Sequence, residues 1–325
     1  MLSSSRFPRM SDKLYKEETE MSLEHVSKTV VFRRILFMFG LALIAATLIG
    51  VSSVAADDKT QTGEAKFATL DGAKVHYVNY GNGSDALVLI HGWTQNIDSW
   101  RDQIPELSKR SRVIAIDLPG HGKSDKPEIK YSMDLFARAV DAVLQDAKVN
   151  RAVLAGHSMG TPVARQFYRK YPDKTLALVI VDGALRPFGN KEMMDQLIAG
   201  LRGPKYKETI DGMFGMMLGS GMPAETQQRI KSATASTPQH VLVSAMEGMA
   251  DPAIWGDDKI NVPTLSILAK NPFYPPNIDE LNRGVAPNIE QTMWEGVGHW
   301  LMMDKPKEFN AAVIAFLDKH KLLKK

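Results

Sequence analysis

The sequence contains no cysteine. That excludes disulfides, thiolate metal sites, a cysteine nucleophile and a lipid-bearing cysteine anchor. The eight histidines are scattered. No helix pattern pairs a histidine with a second histidine or a carboxylate three or four residues away, so a metal site is not expected and no metal or cofactor is implied. Charge of one sign is lacking too. Forty basic residues face 37 acidic ones, a net of +3. No basic stripe is interleaved with aromatics, which removes the usual grounds for a nucleic-acid partner. The chain also lacks internal repeats and low-complexity tracts.

What is present, at 325 residues, is enough chain for one large domain or two small ones with a real core. The first 56 residues read apart from the rest. Arg33 and Arg34 precede the apolar run 35–51, ILFMFGLALIAATLIGV, and SSVAADD follows, with Val54 and Ala56 placed for a cut after Ala56. Positive flank, apolar core and small-residue exit describe a secretory signal peptide, so the mature protein is expected to begin near Asp57 and to be exported, periplasmic or secreted. The run is about long enough to span a bilayer. An uncleaved anchor, with membrane contact confined to this segment and the body outside the cytoplasm, is therefore the alternative. Residues 1–56 hold seven basic and five acidic residues, leaving 33 against 32 beyond them. A surface so balanced steers toward no polyanion.

From about Lys66 the pattern alternates between strand and helix. KVHYVNYG (74–81) alternates apolar and polar residues like an edge hairpin strand. Residues 86–92, 112–120, 151–158, 176–183 and 264–269 are short continuous apolar runs, the mark of strands buried on both faces of a parallel sheet. Between them, Met133, Phe136, Ala137, Val140, Val143 and Leu144 follow helical spacing, as do Phe309, Val313, Phe316 and Leu317 near the end. The expectation is an α/β fold, a mostly parallel sheet with helices on both faces. The rhythm breaks over about 186–258, where helices such as 189–202 and 223–236 suggest an inserted helical lid over the carboxyl edge of the sheet, the edge where such sheets bind ligands. Residues 57–325 then form one domain.

The strand RAVLA runs into GHSMG, Gly156 to Gly160, and then into the helix pattern TPVARQFYRKY. This is G-x-S-x-G in the strand–turn–helix context that the motif requires. The turn exposes the Ser158 oxygen at a helix N-terminus, where the dipole favours developing negative charge. Ser158 is the candidate nucleophile. His299, in the glycine-flanked loop EGVGHW after the strand pattern 289–295, is the candidate base, because a loop over the same edge lets an imidazole reach the serine.

With these residues in hand, the chain resembles the α/β-hydrolase family, in its lid-bearing serine esterase-like branch, over roughly residues 66–320. Four motifs carry the resemblance: HGW after the third strand, DLPGHGKSD after the fourth, GHSMG after the fifth and GVGHWLMMDKP after the eighth. It implies an oxyanion hole made by the backbone N–H groups of Trp93 and Met159, whose fixed donors need no rearrangement as charge develops. His91, Gly92, His121 and His157 are expected to shape turns. DLPGHGKSD is a fold signature to which no chemistry is assigned. Haloalkane dehalogenases and epoxide hydrolases share the fold but need an aspartate where Ser158 stands, which argues against both.

The base needs an acid to orient it. In most of the family that acid follows the strand equivalent to Thr264–Ala269, and aligning the strands puts Pro272 there, a residue with no acceptor to offer. Asp182, at the end of the neighbouring run LALVIVDG, is the expected replacement, since adjacent strands are only about 4.8 Å apart. Asp279, further along the proline-rich loop, is the alternative. Eight of the 17 methionines fall between Met193 and Met249, which suits either an adaptable apolar pocket or plain packing of lid helices. Trp93, Trp300 and Phe273 are expected at the entrance. Taken together, the residues point to an exported serine hydrolase of small carboxylic esters, with an apolar acyl or aromatic group. A serine-dependent C–C-bond hydrolase or perhydrolase-like enzyme, or a non-catalytic ligand-binding homologue, are the rivals.

Overall fold

The computed structural model describes residues 62–187, 191–219, 221–271 and 274–323. The expected signal segment and the positions of Pro272 and Phe273 lie outside the described residues. Eight strands form one sheet: β1 Glu64–Leu70, β2 Ala73–Tyr80, β3 Asp85–Ile90, β4 Val113–Ile116, β5 Arg151–His157, β6 Thr175–Val181, β7 Thr264–Ala269 and β8 Ile289–Trp294. Their spatial order is β1-β2-β4-β3-β5-β6-β7-β8. From β4 to β8 neighbours pair in parallel, while β1 and β2 pair antiparallel to each other and β2 to β4.

The continuous apolar runs behave as their composition dictates. Every residue of β4 and β7 is buried, as are the last five of β3 and six of β5. Helices cover both faces. They are α1 Ile104–Arg110, α2 Met133–Asp146, α3 Gly160–Lys170, α4 Lys191–Arg202, α5 Tyr206–Met217, α6 Ala224–Ala235, α7 Gln239–Ala250, α8 Ile278–Val285, α9 Leu301–Asp304 and α10 Pro306–Lys319. Helix α2 starts where it does because the Ser132 hydroxyl accepts the Leu135 N–H, a side-chain N-cap. Its apolar stripe then packs on the sheet beside α3, while α1 and α10 pack together.

One expectation needs correcting. The stretch 74–81 does not form the sheet edge, because β1 pairs along its whole length and takes the edge position. The signal was Asp71-Gly72, both at positive φ (51° and 85°), the turn chemistry of a two-residue hairpin.

Four helices, α4 to α7, form the insertion between β6 and β7. A buried arginine ties its two ends to the body. Arg165 on α3 donates from Nη1 to the Leu185 carbonyl at 2.6 Å, where the chain leaves β6, and from Nη2 to the Gly256 carbonyl, where it returns. Arg169, one turn on, donates to the Ile254 carbonyl and to Asp258, each at 2.7 Å. Burial pulls the Arg165 pKa below its usual range, yet a guanidinium remains a cation and keeps all its donors. Arg165→Met should lower the unfolding free energy by about 3–6 kcal/mol, the scale of two charge-assisted hydrogen bonds. Arg165→Lys should recover only part, because one ammonium cannot serve both carbonyls in the planar fork geometry. Denaturant titration of the two variants checks this.

Candidate active site

The carboxyl ends of β3, β5, β6, β7 and β8 lie side by side in the sheet, and the order turns around at β3, with β4 on one side and β5 on the other. Ligand crevices of open α/β sheets form at such a reversal. Seven non-glycine residues among those described have positive φ, and three of them stand on this edge: Thr94 (66°), Ser158 (52°) and Asp182 (42°). Left-handed backbone at non-glycine residues costs energy and concentrates at functional sites.

Ser158 is the turn between β5 and α3. Its N–H donates to the Val181 carbonyl at 3.0 Å and its own carbonyl accepts the Thr161 N–H at 2.9 Å, so both neighbours pin the strained residue. The motif glycines are needed for contact rather than flexibility. A Cβ on Gly156 would lie 2.2 Å from the Gly160 carbonyl oxygen, and one on Gly160 would lie 2.5 Å from that of Ile90. Ser158 remains partly exposed, while His157 and Met159 on either side are buried.

The loop after β3 holds His91, Gly92 and Trp93. His91 is buried, accepts the Leu118 N–H at Nε2 (3.0 Å) and donates from Nδ1 to the Gly92 carbonyl (2.8 Å). Burial lowers its pKa, which suits a neutral ring with both nitrogens engaged. Among the described residues, neither the Trp93 nor the Met159 backbone N–H donates to a protein acceptor. The loop is gripped by the insertion. The Trp93 indole donates to the Leu242 carbonyl of α7 at 3.0 Å, and Thr94 Oγ1 lies 2.9 Å from Thr234 Oγ1 of α6, with the Gln95 amide donating to both hydroxyls. The DLPGHGKSD signature supports the same region, since Asp117 accepts the backbone N–H groups of Ile97 and Lys123 and faces His76.

His299 and Asp182 meet. The His299 Nδ1–H donates to Asp182 Oδ2 at 2.6 Å. The carboxylate is 2% exposed and the imidazole 15%, so the pair sits in low dielectric with the ring edge open. With Nδ1 carrying the proton, Nε2 is the basic nitrogen. The other oxygen of Asp182 accepts the Ala269 N–H at 2.7 Å and the Tyr274 hydroxyl at 3.2 Å. Asp279 does not join them. It is exposed in the first turn of α8 and bonds Arg283 at 2.9 Å.

The backbone of His299 is fixed as firmly as its ring. Its N–H donates to the Met217 carbonyl at the end of α5, and its carbonyl accepts the His157 Nε2–H, each at 2.8 Å. Burial holds the His157 pKa well below the ordinary histidine value, with the neighbouring His299 ring adding to the effect. His157 is thus a neutral donor. His121 likewise bonds only its local backbone, at the Pro119 carbonyl, and burial brings its pKa down to about 3. Trp300 packs edge-to-face on the His299 ring at 5.2 Å and on Phe214 of the insertion at 5.3 Å. It is 2% exposed and Trp93 is 6% exposed. Both tryptophans therefore wall the site from within rather than framing an entrance, because each indole packs against the inserted helices. Two open surface concavities, of about 630 and 730 Å³, do not include Ser158, His299 or Asp182 in their linings.

Asp304 closes the loop. Its Oδ2 accepts the Gly298 N–H at 2.7 Å. Burial raises its pKa above the ordinary 3.8, with the Gly298 N–H and Lys305 opposing. A carboxyl whose folded pKa lies above its unfolded pKa stabilises the fold below the unfolded value and loses that contribution as pH rises through the folded one. Asp304→Asn keeps a neutral acceptor, so the variant should melt above the parent at pH 7. The gap should close as pH falls below about 4. Melting curves at the two pH values check it.

Several of these partners carry no local signal: Tyr274, Thr234, Gln95 and Met217 look like ordinary loop or helix residues in the sequence. The sequence marks His157 only as a turn former, and nothing local shows that its ring reaches the His299 carbonyl.

The family model described as alpha/beta hydrolase fold matches residues 85–206, which span the loop after β3, the Ser158 turn and the start of the insertion. The chain has the α/β-hydrolase fold. Among solved structures, an esterase from Exiguobacterium antarcticum superposes with a TM-score of 0.69 at 22% identity, covering 78% of this chain and 100% of that one. Est816, described as an N-acyl homoserine lactone degrading enzyme, superposes at 0.67 with 27% identity, covering 77% of this chain and 100% of its own. A 2-hydroxy-6-oxononadienedioate/2-hydroxy-6-oxononatrienedioate hydrolase of Burkholderia vietnamiensis is 28% identical over 279 residues, which is 79% of this chain and 97% of that protein. The chain spans 65% of the acetoin-cleaving-system acetyltransferase component of Pseudomonas putida and about a third of several other curated relatives. No helix among the described residues is long and apolar enough to cross a membrane.

Proposed function

We propose that this α/β-hydrolase-fold protein is a serine hydrolase of carboxylic esters. The observation that carries the reading is the 2.6 Å bond from His299 Nδ1 to Asp182, one strand end away from a strained serine turn. In this mechanism His299 Nε2 takes the Ser158 proton as Oγ attacks the ester carbonyl. Asp182 holds the ring in the useful tautomer and stabilises the imidazolium. The N–H groups of Trp93 and Met159 receive the oxyanion. The tetrahedral intermediate collapses as His299 returns the proton to the leaving alcohol. Water, deprotonated by His299, then attacks the acyl-enzyme and releases the acid with Ser158 restored.

The aromatic pair Trp300 and Phe214 beside His299, together with the methionine-rich insertion acting as a lid, suits an apolar acyl or aromatic group over a charged one. Est816, the N-acyl homoserine lactone degrading enzyme, at 27% identity, supports an ester or lactone bond. The Burkholderia vietnamiensis relative, matched over nearly its full length, supports a second reading, hydrolysis of a C–C bond in a 2-hydroxy-6-oxo acid by the same serine. Residues 1–56 act as the export segment in this reading, cut near Ala56 or retained as an anchor, and 57–325 as the catalytic domain with its lid over about 186–258.

Labelling with a fluorophosphonate probe tests the serine mechanism, because only an activated serine reacts. Stoichiometric labelling at Ser158 is expected, with hydrolysis of short and medium nitrophenyl esters exceeding turnover of a 2-hydroxy-6-oxo dienoic acid. An unlabelled protein would mean a ligand-binding homologue. The reverse order of rates would favour the C–C reading.

A further inference from the structure

Asp182 has two oxygens with separate duties. Oδ2 meets His299, and Oδ1 accepts two donors, the Ala269 N–H at the end of β7 and the Tyr274 hydroxyl from the loop that follows it. Strand β7 therefore lends the acid of β6 its orientation without carrying an acid at that end. A carboxylate rotates easily about Cβ–Cγ, a broad two-fold torsion. One N–H holds one oxygen, but a second donor from another direction is needed to fix the carboxylate plane. Tyr274 is only partly exposed, and its hydroxyl lies against a buried carboxylate. Desolvation, then the Asp182 charge, push its pKa well above the ordinary tyrosine value, so it remains a donor at any working pH. A second carboxylate here would set two anions against one imidazole; a phenol supplies orientation without that repulsion.

We propose that Tyr274 is a positioning residue that acts through Asp182, fixing the plane of the carboxylate so that Oδ2 stays on His299 Nδ1 through the reaction cycle. The proposal rests on Asp182 being the acid that orients the base. Losing one hydrogen bond to a charged group corresponds to about a tenfold loss in rate.

Tyr274→Phe keeps the ring and removes only the hydroxyl. It should lower kcat for an activated ester about tenfold while KM stays within about twofold and the melting temperature is unchanged. The decisive arm is the double variant. In an Asp182→Asn background the same change should cost no more than about twofold, because a residue acting through a partner loses its effect when the partner is gone. Full kcat in Tyr274→Phe, a loss expressed mainly in KM, or an undiminished tenfold loss in the Asp182→Asn background would each overturn the proposal. Near-normal turnover by Asp182→Asn alone would instead overturn the underlying reading of the acid, so the two failures are distinguishable.

Discussion

Replacing Ser158 by alanine should reduce turnover of nitrophenyl acetate by on the order of 10⁶-fold, the scale seen when a serine hydrolase loses its nucleophile. What remains should be a small excess over water, contributed by binding and by the Trp93 and Met159 N–H groups. The fold should not suffer. Ser158 is held by its backbone bonds to Val181 and Thr161, and alanine preserves both, although it must keep a φ of 52°. Labelling by a fluorophosphonate should vanish with the activity. Turnover at more than a small fraction of the parent would sink the covalent mechanism. Burst kinetics and a melting curve on the same preparation separate lost chemistry from lost structure.

The second large effect is expected at Asp182. Asp182→Asn should leave KM nearly unchanged and lower kcat by about 10⁴ or somewhat less, the cost of an amide at the equivalent place in a serine protease. An amide presented to His299 can donate where the carboxylate only accepts, which favours the wrong tautomer, and it cannot stabilise an imidazolium. The carboxylate is almost fully buried and bonds three donors, so no water can take its place. Asp279→Asn should change little, since that side chain is exposed and spends itself on Arg283. The opposite pattern, Asp182→Asn active and Asp279→Asn crippled, would move the acid into the proline-rich loop.

The parallel sheet was legible because strands buried on both faces must be continuously apolar, and runs such as 86–92 and 151–158 have no other stable home. The Ser158 turn was legible because its pattern is local, two glycines at fixed offsets between a strand and a helix. Only Gly156 is demanded by a neighbour in sequence, the Gly160 carbonyl, while Gly160 is demanded by the Ile90 carbonyl of β3. His299 stood out through its local glycine-flanked pattern, whereas the demand on Gly298 is tertiary, since a Cβ there would lie 2.2 Å from the Gly219 nitrogen.

Local pattern alone did not choose between Asp182 and Asp279. Asp182 and His299 are 117 residues apart, and their meeting depends on β6, β7 and β8 lying in that spatial order, with β7 returning only after a four-helix insertion. Nor does composition reveal that Thr234 and Leu242 hold the loop of Trp93, or that Tyr274 turns its hydroxyl to the acid. By itself, then, the sequence determined the elements whose patterns are local: buried strands, the serine turn and the glycine-flanked histidine. Tertiary structure decided which carboxylate faces the imidazole and what holds it, because those contacts come from the order of strands in the sheet, and no periodicity along the chain encodes that order.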